Sequence, residues 1–302
     1  MKTQYNAIII GSGIIGCSIA FELSKKGWKT LNIDKLKAAG YGSTANTCAV
    51  IRTHYSTLDG TAAAYESYKY WDAWDKYLGI EDPMGLAKFN KRGVLVMKSH
   101  VNEHLKKVKS MMDQIGIPYE DLTFEQVKEK FSMFDDTSYY PPRRPEDPKF
   151  GTPNDIPIQG AIYYPEGGFI SDPILSVHNV QVAAEAHGAK FKFNAIVSDI
   201  LKENGKVLGL ILEDDTIIES PVVINASGPH SFVINRMAGV EKGMKIKTRA
   251  LRHEVVHLPA PEGVDYESSG CPSSDSDIGG YWCPEVGNNI LSGSEDPECD
   301  PK

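Results

Sequence analysis

The feature that most constrains this chain is a glycine-rich turn that directly follows a short apolar strand. Residues 5–34 read YNAIIIGSGIIGCSIAFELSKKGWKTLNID. The apolar run at 6–10 is typical of a strand that is buried on both faces. A G-x-G-x-x-G pattern comes next, and the spacing of apolar residues predicts a helix over 14–26 and a second strand over 29–33. A strand, tight turn, helix and strand in this order predict an α/β fold with a parallel sheet.

The glycines of this turn have separate physical roles in the predicted site. Gly11 allows the tight turn, Gly13 lets a pyrophosphate approach the backbone, and Gly16 allows close packing of helix and strand. Asp34, which lies 18 residues after Gly16, can bind a ribose and disfavours a 2′-phosphate. A tight turn without a ligand is the alternative. The predicted cofactor contacts here are Gly11, Ser12, Gly13, Ile14, Ile15, Gly16, Asp34 and Lys35.

Composition excludes several classes of function. The chain has 302 residues with 41% hydrophobic and 24% charged residues, as expected for a globular protein of one or two domains. The net charge of −8 argues against a general nucleic-acid or anionic-membrane surface. No apolar run is long enough to span a bilayer. The five cysteines show no C-x-x-C, which favours reduced thiols in a cytoplasm, with neither disulfides nor a metal site.

The segment after the second strand departs from regular alternation of strand and helix. Residues 40–47 read GYGSTANT and residues 48–55 read CAVIRTHY. Small polar residues suit a backbone that lies along a ligand, with the Ser43 and Thr44 hydroxyls as donors, although a plain surface loop is the alternative. These segments together with the first motif resemble the D-amino-acid oxidase and sarcosine oxidase superfamily of FAD-dependent amine oxidoreductases, with the sarcosine oxidase and dimethylglycine dehydrogenase branch nearest.

Later segments continue the resemblance in the same order. Residues 161–172 (AIYYPEGGFISD) match the family, and the resemblance implies that Val197 contacts the adenine through its backbone. The turn NASGP at 225–229 resembles the strand-to-helix turn beside the FAD phosphates, which favours FAD over NAD. The resemblance therefore adds the cofactor-binding residues Val197, Ala226, Ser227 and Gly228.

The resemblance also implies a substrate site. Arg52 matches the arginine that holds the substrate carboxylate, a role that its bidentate fork suits, although a structural ion pair is the alternative. The family has a basic residue where this chain has Ala49, a departure that argues against sarcosine itself and efficient oxygen use. His54 and Tyr55 are expected to line the pocket. His253 is a candidate base or flavin neighbour, or an ordinary sheet histidine.

Other patterns predict the remaining elements. They indicate helices over 61–78 and 100–116, a helix that starts with a capping box near Thr123, a helix over 173–187, a strand over 189–197, a β-meander over 198–218 and a hairpin over 279–292. The proline-rich segment 135–157 is predicted as a long loop. It could cover a substrate entrance, contact a partner or be a surface insertion.

The predicted fold class is α/β, with a Rossmann-like FAD-binding domain of parallel sheet and β-meander. It is interleaved with an α+β substrate domain built on a mostly antiparallel sheet. The predicted FAD-binding domain comprises residues 1–85 and 155–240, and the substrate domain comprises 86–154 and 241–302. Family members continue further, so the chain is expected to be a C-terminally truncated member, with a compact relative as the alternative.

The predicted function is FAD-dependent oxidation of the C–N bond of a small N-methyl amino acid, by hydride transfer to flavin N5. The expected partners are the amino-acid substrate, oxygen or an electron-transfer acceptor, and a possible partner subunit. No nucleic acid, membrane span or metal is expected, and the expected compartment is the cytoplasm. The alternatives are a non-catalytic FAD-binding subunit or remnant, or a flavin oxidoreductase for D-amino acids or glycerol 3-phosphate.

Overall fold

The computed structural model describes residues 4–294, which form two compact units. The helices are α1 (Ile14–Lys25), α2 (Leu58–Asp72), α3 (Trp74–Leu78), α4 (Leu105–Ile115), α5 (Phe124–Lys130), α6 (Pro173–Ala186), α7 (Ser231–Ala238) and α8 (Tyr266–Ser269). The strands are β1 (Ala7–Ile10), β2 (Thr30–Ile33), β3 (Val50–Ile51), β4 (Phe89–Asn90), β5 (Val94–Met97), β6 (Glu120–Thr123), β7 (Gly160–Tyr164), β8 (Gly168–Ile170), β9 (Lys190–Lys192), β10 (Val197–Glu203), β11 (Lys206–Leu212), β12 (Ile217–Glu219), β13 (Val223–Asn225), β14 (Val255–Pro259), β15 (Ser273–Asp275), β16 (Gly280–Glu285) and β17 (Asn289–Ser294).

The first unit contains the described residues up to Ala49, together with Trp74–Lys88 and Ser171–Arg252. Its parallel sheet has the strand order β13-β1-β2-β9, and an antiparallel meander has the order β10-β11-β12. All four residues of β1 are buried, which explains why this strand is a continuous apolar run. The helices α1 and α6 pack against each other. The glycine turn that is predicted to bind the cofactor therefore lies between the end of β1 and the start of α1.

The start of α6 illustrates how local sequence sets a helix boundary in this unit. The Asp172 side chain accepts a hydrogen bond from the Leu175 N–H at 2.9 Å, and Pro173 occupies the first helical position. A carboxylate cap satisfies an otherwise unpaired backbone donor, and the fixed φ of proline suits this position. The predicted start of this helix is confirmed.

The second unit contains Val50–Ala73, Phe89–Ile170 and the described residues from His253 onward. Its main sheet has the order β14-β17-β16-β15-β5-β7-β6 and is antiparallel except for the parallel pair of β15 and β5. A smaller antiparallel sheet has the order β3-β8-β4. Buried residues of β5, β7 and α4 form a common apolar core. The predicted capping box of α5 is confirmed, because Thr123 and Gln126 exchange side-chain and backbone hydrogen bonds.

The proline-rich segment 135–157, all of which is described, forms neither helix nor strand. It is nevertheless anchored by the fully buried Asp277. The Asp277 carboxylate accepts hydrogen bonds from the Ser138 hydroxyl at 2.5 Å and from the Tyr139 N–H at 2.7 Å. Asn154 donates from its amide to the Tyr140 carbonyl at 2.9 Å. Buried polar contacts therefore hold this segment against the remainder of the second unit.

Some elements differ from the sequence-based expectation. The helix predicted over 61–78 begins earlier, because Thr57 caps it, and it breaks at Ala73 into α2 and α3. The helix predicted over 100–116 forms only from Leu105. The strand predicted over 189–197 is divided at Asn194, whose φ of 51° is a left-handed conformation that ends β9 before β10 begins.

The predicted fold class is confirmed: the described residues combine a parallel α/β sheet and meander with a mostly antiparallel sheet. The compact units divide the chain at other positions than the predicted domains, since 50–73 and 155–170 fall in the second unit, and 86–88 and 241–252 fall in the first. The roles assigned to the two predicted domains stay predictions. No helix among the described residues is long and apolar enough to cross a membrane.

Candidate functional site

The glycine turn of the first unit is shaped by close approach of backbone segments. Gly11 has a φ of 107°, and a Cβ on it would stand 2.4 Å from the carbonyl oxygen of Ala226. A Cβ on Gly16 would stand 2.0 Å from the carbonyl oxygen of Gly11. No side chain fits at either distance, so both positions require glycine for steric reasons. The turn brings the ends of β1 and β13 and the start of α1 together.

The start of α1 lies at this turn with its backbone donors directed into it. Among the described residues, no side chain caps the helix at Gly13, whose backbone is extended. The Ile14 N–H donates to the Thr44 hydroxyl at 3.2 Å, and Ile15 is 65% exposed. The first turn of a helix has N–H groups without intrahelical partners and carries partial positive charge. This arrangement suits a diphosphate, with the Thr44 hydroxyl hydrogen still available as a donor.

Asp34 lies at the tip of β2 and faces the glycine turn. One carboxylate oxygen accepts a hydrogen bond from the Ser12 N–H at 2.7 Å, and the other accepts from the Leu36 N–H at 2.9 Å. The residue is half-buried, and each carboxylate oxygen keeps a further lone pair for a ligand hydroxyl. The neighbouring Lys35 is exposed. The position of Asp34 therefore fits the proposed contact with a ribose.

The other predicted cofactor residues of the first unit lie on three further segments. Ser43 is exposed and begins a short 3₁₀ turn. Val197 is buried and begins β10. Ala226 donates its N–H to the carbonyl of β1 at 2.9 Å, whereas Ser227 and the left-handed Gly228 follow at the start of the next turn. Their contacts with a cofactor stay predictions.

The second unit contains a cavity of about 380 Å³ beside Arg52. Its lining is formed by Val50, Ile51, Arg52, Tyr55, Gly60, Ala63, Ala64, Ser67, Tyr68 and Trp71. The Arg52 guanidinium carbon lies 4.5 Å from the centroid of the Tyr55 ring, which is a cation–π geometry. An exposed cation beside a wall of mainly apolar residues, with Ser67 and two tyrosines among them, is suited to a small anion with an apolar body.

One wall of this cavity is an aromatic face of α2 that is fixed by a carboxylate. The Tyr68 hydroxyl donates to Oε1 of Glu166 at 2.7 Å, and the Tyr65 and Tyr68 rings lie 5.2 Å apart. Burial, and then the hydrogen bond to Glu166, raise the pKa of Tyr68. The Tyr68 phenol therefore stays neutral, and its hydrogen is already donated to Glu166.

The predicted histidines have different surroundings from Arg52 and Tyr55. His54 is buried and stacks on Tyr164 with ring centroids 3.8 Å apart, and its Nδ1 has no hydrogen-bond partner among the described residues. Burial, and then the positive charges of Arg52 and His104, lower the pKa of His54 to about 3. His253 is exposed and precedes β14. The catalytic roles of both histidines stay predictions.

The structure adds residues that the sequence reasoning left out of the site. Tyr68 and Trp71, two aromatic residues of the helix predicted over 61–78, line the cavity. Gly60 and Ala64 lie on the same side of α2. Positions 60, 64, 68 and 71 are separated by three or four residues, which is the spacing of one helix face. This helical spacing, close in sequence to a candidate anion-binding arginine, was the sequence signal that could have identified these lining residues.

The cysteines and potential metal ligands show no further site. Cys17, Cys48, Cys271 and Cys283 are buried and unbridged, whereas Cys299 lies outside the described residues. Burial raises the pKa of Cys271 to about 12, so its thiol is unreactive at neutral pH. Among residues 4–294, no group of three or more His, Cys, Asp or Glu side chains is placed to hold a metal ion.

Comparison with known proteins gives a family match over nearly the whole chain. The model of the DAO family, described as FAD dependent oxidoreductase, matches residues 6–302. Curated relatives include a glycerol 3-phosphate dehydrogenase from Caloramator mitchellensis, 27% identical over 97% of this chain and 55% of its own length. A 4-methylaminobutanoate oxidase from Paenarthrobacter nicotinovorans is 23% identical over 99% of this chain and 32% of its own length. The mitochondrial pyruvate dehydrogenase phosphatase regulatory subunit of Mus musculus is 23% identical over 97% of this chain and 30% of its own length. The chain thus spans 30% to 55% of the length of these relatives.

Solved structures show the same fold. An L-proline dehydrogenase from P. horikoshii superposes with a TM-score of 0.78 at 23% identity, covering 100% of this chain and 74% of that protein. A glycine oxidase from Bacillus cereus gives a TM-score of 0.69 at 22% identity, covering 96% of this chain and 70% of that protein. At this level of identity the likeness establishes the fold alone.

Proposed function

The chain belongs to the DAO family of FAD-dependent oxidoreductases, and from that premise we propose that it oxidises the C–N bond of a small N-methyl amino acid. Bound FAD supplies the acceptor for the hydride that leaves the carbon beside the amine. The observation that carries the proposal is the placement of Arg52 in a cavity of about 380 Å³ whose other walls are mainly apolar.

For the cofactor, we propose that the glycine turn and the start of α1 bind the diphosphate and that Asp34 binds the ribose. The steric need for glycine at positions 11 and 16 and the direction of the Asp34 carboxylate support this assignment. The remaining assignments follow the family resemblance. They are Ser12, Gly13, Ile14, Ile15, Lys35, Ser43 and Thr44 around the turn, and Val197, Ala226, Ser227 and Gly228 on the segments beside it.

For the substrate, we propose that Arg52 binds the carboxylate. A guanidinium presents two parallel donors to a carboxylate and stays charged at all ordinary pH values. The side chains of Ala63, Ala64 and Trp71 would offer apolar contacts to the remainder of the substrate. Holding the carboxylate at one point restricts the orientation of the reacting C–H bond, which is how such a contact accelerates a reaction.

The overall reaction balances without a metal. The neutral amine loses a hydride, which is two electrons and one proton, to become an iminium ion, and water then converts the iminium ion to an aldehyde or keto acid and a smaller, protonated amine. Oxygen or another electron acceptor must remove the two electrons from the reduced cofactor. A partner subunit could serve as that acceptor.

Two alternatives have a specific observation behind them. Oxidation of glycerol 3-phosphate is supported by the dehydrogenase relative, and a phosphate could also bind Arg52. A role as a non-catalytic FAD-binding subunit is supported by the regulatory-subunit relative. Oxidation of D-amino acids is compatible with the same cavity.

The proposal is tested by anaerobic bleaching of the flavin absorbance with sarcosine, dimethylglycine, proline, D-amino acids and glycerol 3-phosphate. We expect an N-methyl amino acid to bleach the flavin. Arg52→Ala should raise the half-saturating concentration by about 100-fold, since charge-assisted hydrogen bonds contribute about 1.5–3 kcal/mol. Arg236→Ala, at an exposed position of α7, is the control and should leave it unchanged. Bleaching by glycerol 3-phosphate alone, or FAD binding without bleaching by any amine, would favour the respective alternative.

A further inference from the structure

A single buried hydroxyl holds both backbone polar groups of Tyr55. Thr61 is fully buried in α2. Its Oγ1 accepts a hydrogen bond from the Tyr55 N–H at 3.0 Å and donates to the Tyr55 carbonyl oxygen at 3.1 Å. A threonine hydroxyl has one hydrogen to donate and lone pairs to accept, so it can serve both groups at once. The segment before α2 is thereby attached to the helix at one residue.

Two further contacts place the same segment on the start of α2. Thr57 caps the helix by accepting a hydrogen bond from the Gly60 N–H at 3.2 Å. A Cβ on Gly60 would stand 2.8 Å from the Thr57 hydroxyl oxygen and 3.4 Å from the Tyr55 Cβ. Tyr55 therefore packs in van der Waals contact beside Gly60, whereas a larger residue at position 60 would crowd the Thr57 hydroxyl that caps the helix.

The Thr61 hydroxyl does not make the hydrogen bond that is usual for a threonine in a helix. In a helix interior such a hydroxyl commonly bonds back to the carbonyl one turn earlier. Here the carbonyl of Thr57, one turn earlier, accepts the Thr61 backbone N–H at 2.9 Å. The hydroxyl instead reaches outside the helix to Tyr55, so its contribution is to tertiary placement and not to the helix itself.

We propose that Thr61 is a positioning residue for the anion-binding site: it fixes Tyr55, and the Tyr55 ring holds the Arg52 guanidinium toward the cavity. The guanidinium lies 4.5 Å from the ring centroid, and both side chains line the cavity. Thr61 is absent from that lining, so it acts through Tyr55 and not by touching a ligand. The inference rests on the proposed role of Arg52 in carboxylate binding.

The test measures acetate binding to the FAD-loaded protein by isothermal titration calorimetry. Thr61→Val keeps the branched shape but removes both hydrogen bonds, and we expect about a tenfold weaker affinity, which corresponds to about 1.4 kcal/mol. Thr61→Ser keeps the hydroxyl and should stay within about twofold of the parent. Thr123→Val removes a comparable hydroxyl from the cap of α5 and should leave acetate affinity unchanged, although it also destabilises the second unit.

The outcomes separate this inference from the proposed function. Weaker binding in Thr61→Val and Arg52→Ala, with Thr61→Ser and Thr123→Val near the parent, supports it. Unchanged binding in Thr61→Val while Arg52→Ala binds weakly overturns the inference alone, whereas unchanged binding in Arg52→Ala overturns the proposed function as well. Should Thr61→Val not fold, Tyr55→Leu decides: a loss of affinity supports the relay through the ring, and parent-like affinity overturns it.

Discussion

Acidification should destabilise this protein through one buried histidine. His54 is 7% exposed and stacks on Tyr164 at a centroid distance of 3.8 Å. Its pKa falls from 6.5 to about 3, chiefly because burial disfavours the charged ring and secondly because Arg52 and His104 are positive. The folded state therefore keeps His54 neutral at pH values where the unfolded chain is already protonated.

The sign and size of the effect follow from linkage. The folded pKa lies below the unfolded pKa, so the stabilisation is complete above pH 6.5 and is lost progressively as the pH falls toward 3. Each pH unit in that window costs about 1.4 kcal/mol. At about pH 5 the loss is therefore about 2 kcal/mol, and this figure holds for any folded pKa below about 4.

The perturbation that isolates this effect is His54→Phe, which keeps an aromatic ring against Tyr164 but cannot be protonated. Urea unfolding, followed by tryptophan fluorescence with FAD in equal excess, gives the free energy of unfolding at about pH 7.5 and about pH 5. The variant should lose about 2 kcal/mol less than the parent between these two pH values. Carboxylates that titrate in the same range affect both proteins equally and cancel.

The matched control is Tyr164→Phe, which keeps the ring but removes a buried hydroxyl without a hydrogen-bond partner among the described residues. Because the burial of His54 is unchanged, this variant should show the pH dependence of the parent. An equal loss of unfolding free energy in the parent and in His54→Phe would refute the reasoning, since it would mean that the pKa of His54 is the same in the folded and unfolded states.

Two further predictions concern the glycine turn and the anchored loop. Gly16→Ala should abolish FAD retention, measured by flavin fluorescence of the purified protein, because its Cβ would meet the Gly11 carbonyl oxygen at 2.0 Å. Gly243→Ala is the control, because a Cβ at this position would have nothing within 4 Å. Retention of FAD by Gly16→Ala would contradict the steric argument. Asp277→Asn should cost about 1–3 kcal/mol by leaving a buried donor unpaired, and trypsin should then cut within 135–157 faster than in the parent. Equal cutting rates would show that the buried carboxylate does not hold the segment.

The cofactor class could be predicted because its signal is contiguous. The glycine turn and Asp34 lie in one unit of about 30 residues whose strand, helix and strand each have a local signature. The expectation of FAD is confirmed by the family match over residues 6–302. The caps at Asp172 and Thr123 were predictable for the same reason, since a capping side chain and its backbone partner are three residues apart.

The candidate substrate site was predictable only in part. Arg52, His54 and Tyr55 are neighbours in the sequence, and nothing in their order indicates that the first and third line a cavity while the second is buried against Tyr164. The segment from position 52 is irregular, so neither a helical nor a strand period assigns its side chains to faces. Their directions depend on what packs against them.

By itself, the sequence determined the fold class, the family and the cofactor, because these depend on short local patterns of glycine, apolar periodicity and charge. The tertiary structure decided which polar side chains of the segment before α2 face the cavity and which are buried. It also assigned a positioning contact to Thr61, which no motif marks. The physical reason is that a hydrogen bond or ring stack between separate elements forms only when the fold brings those elements together. No periodic pattern in the sequence indicates which residues will then meet.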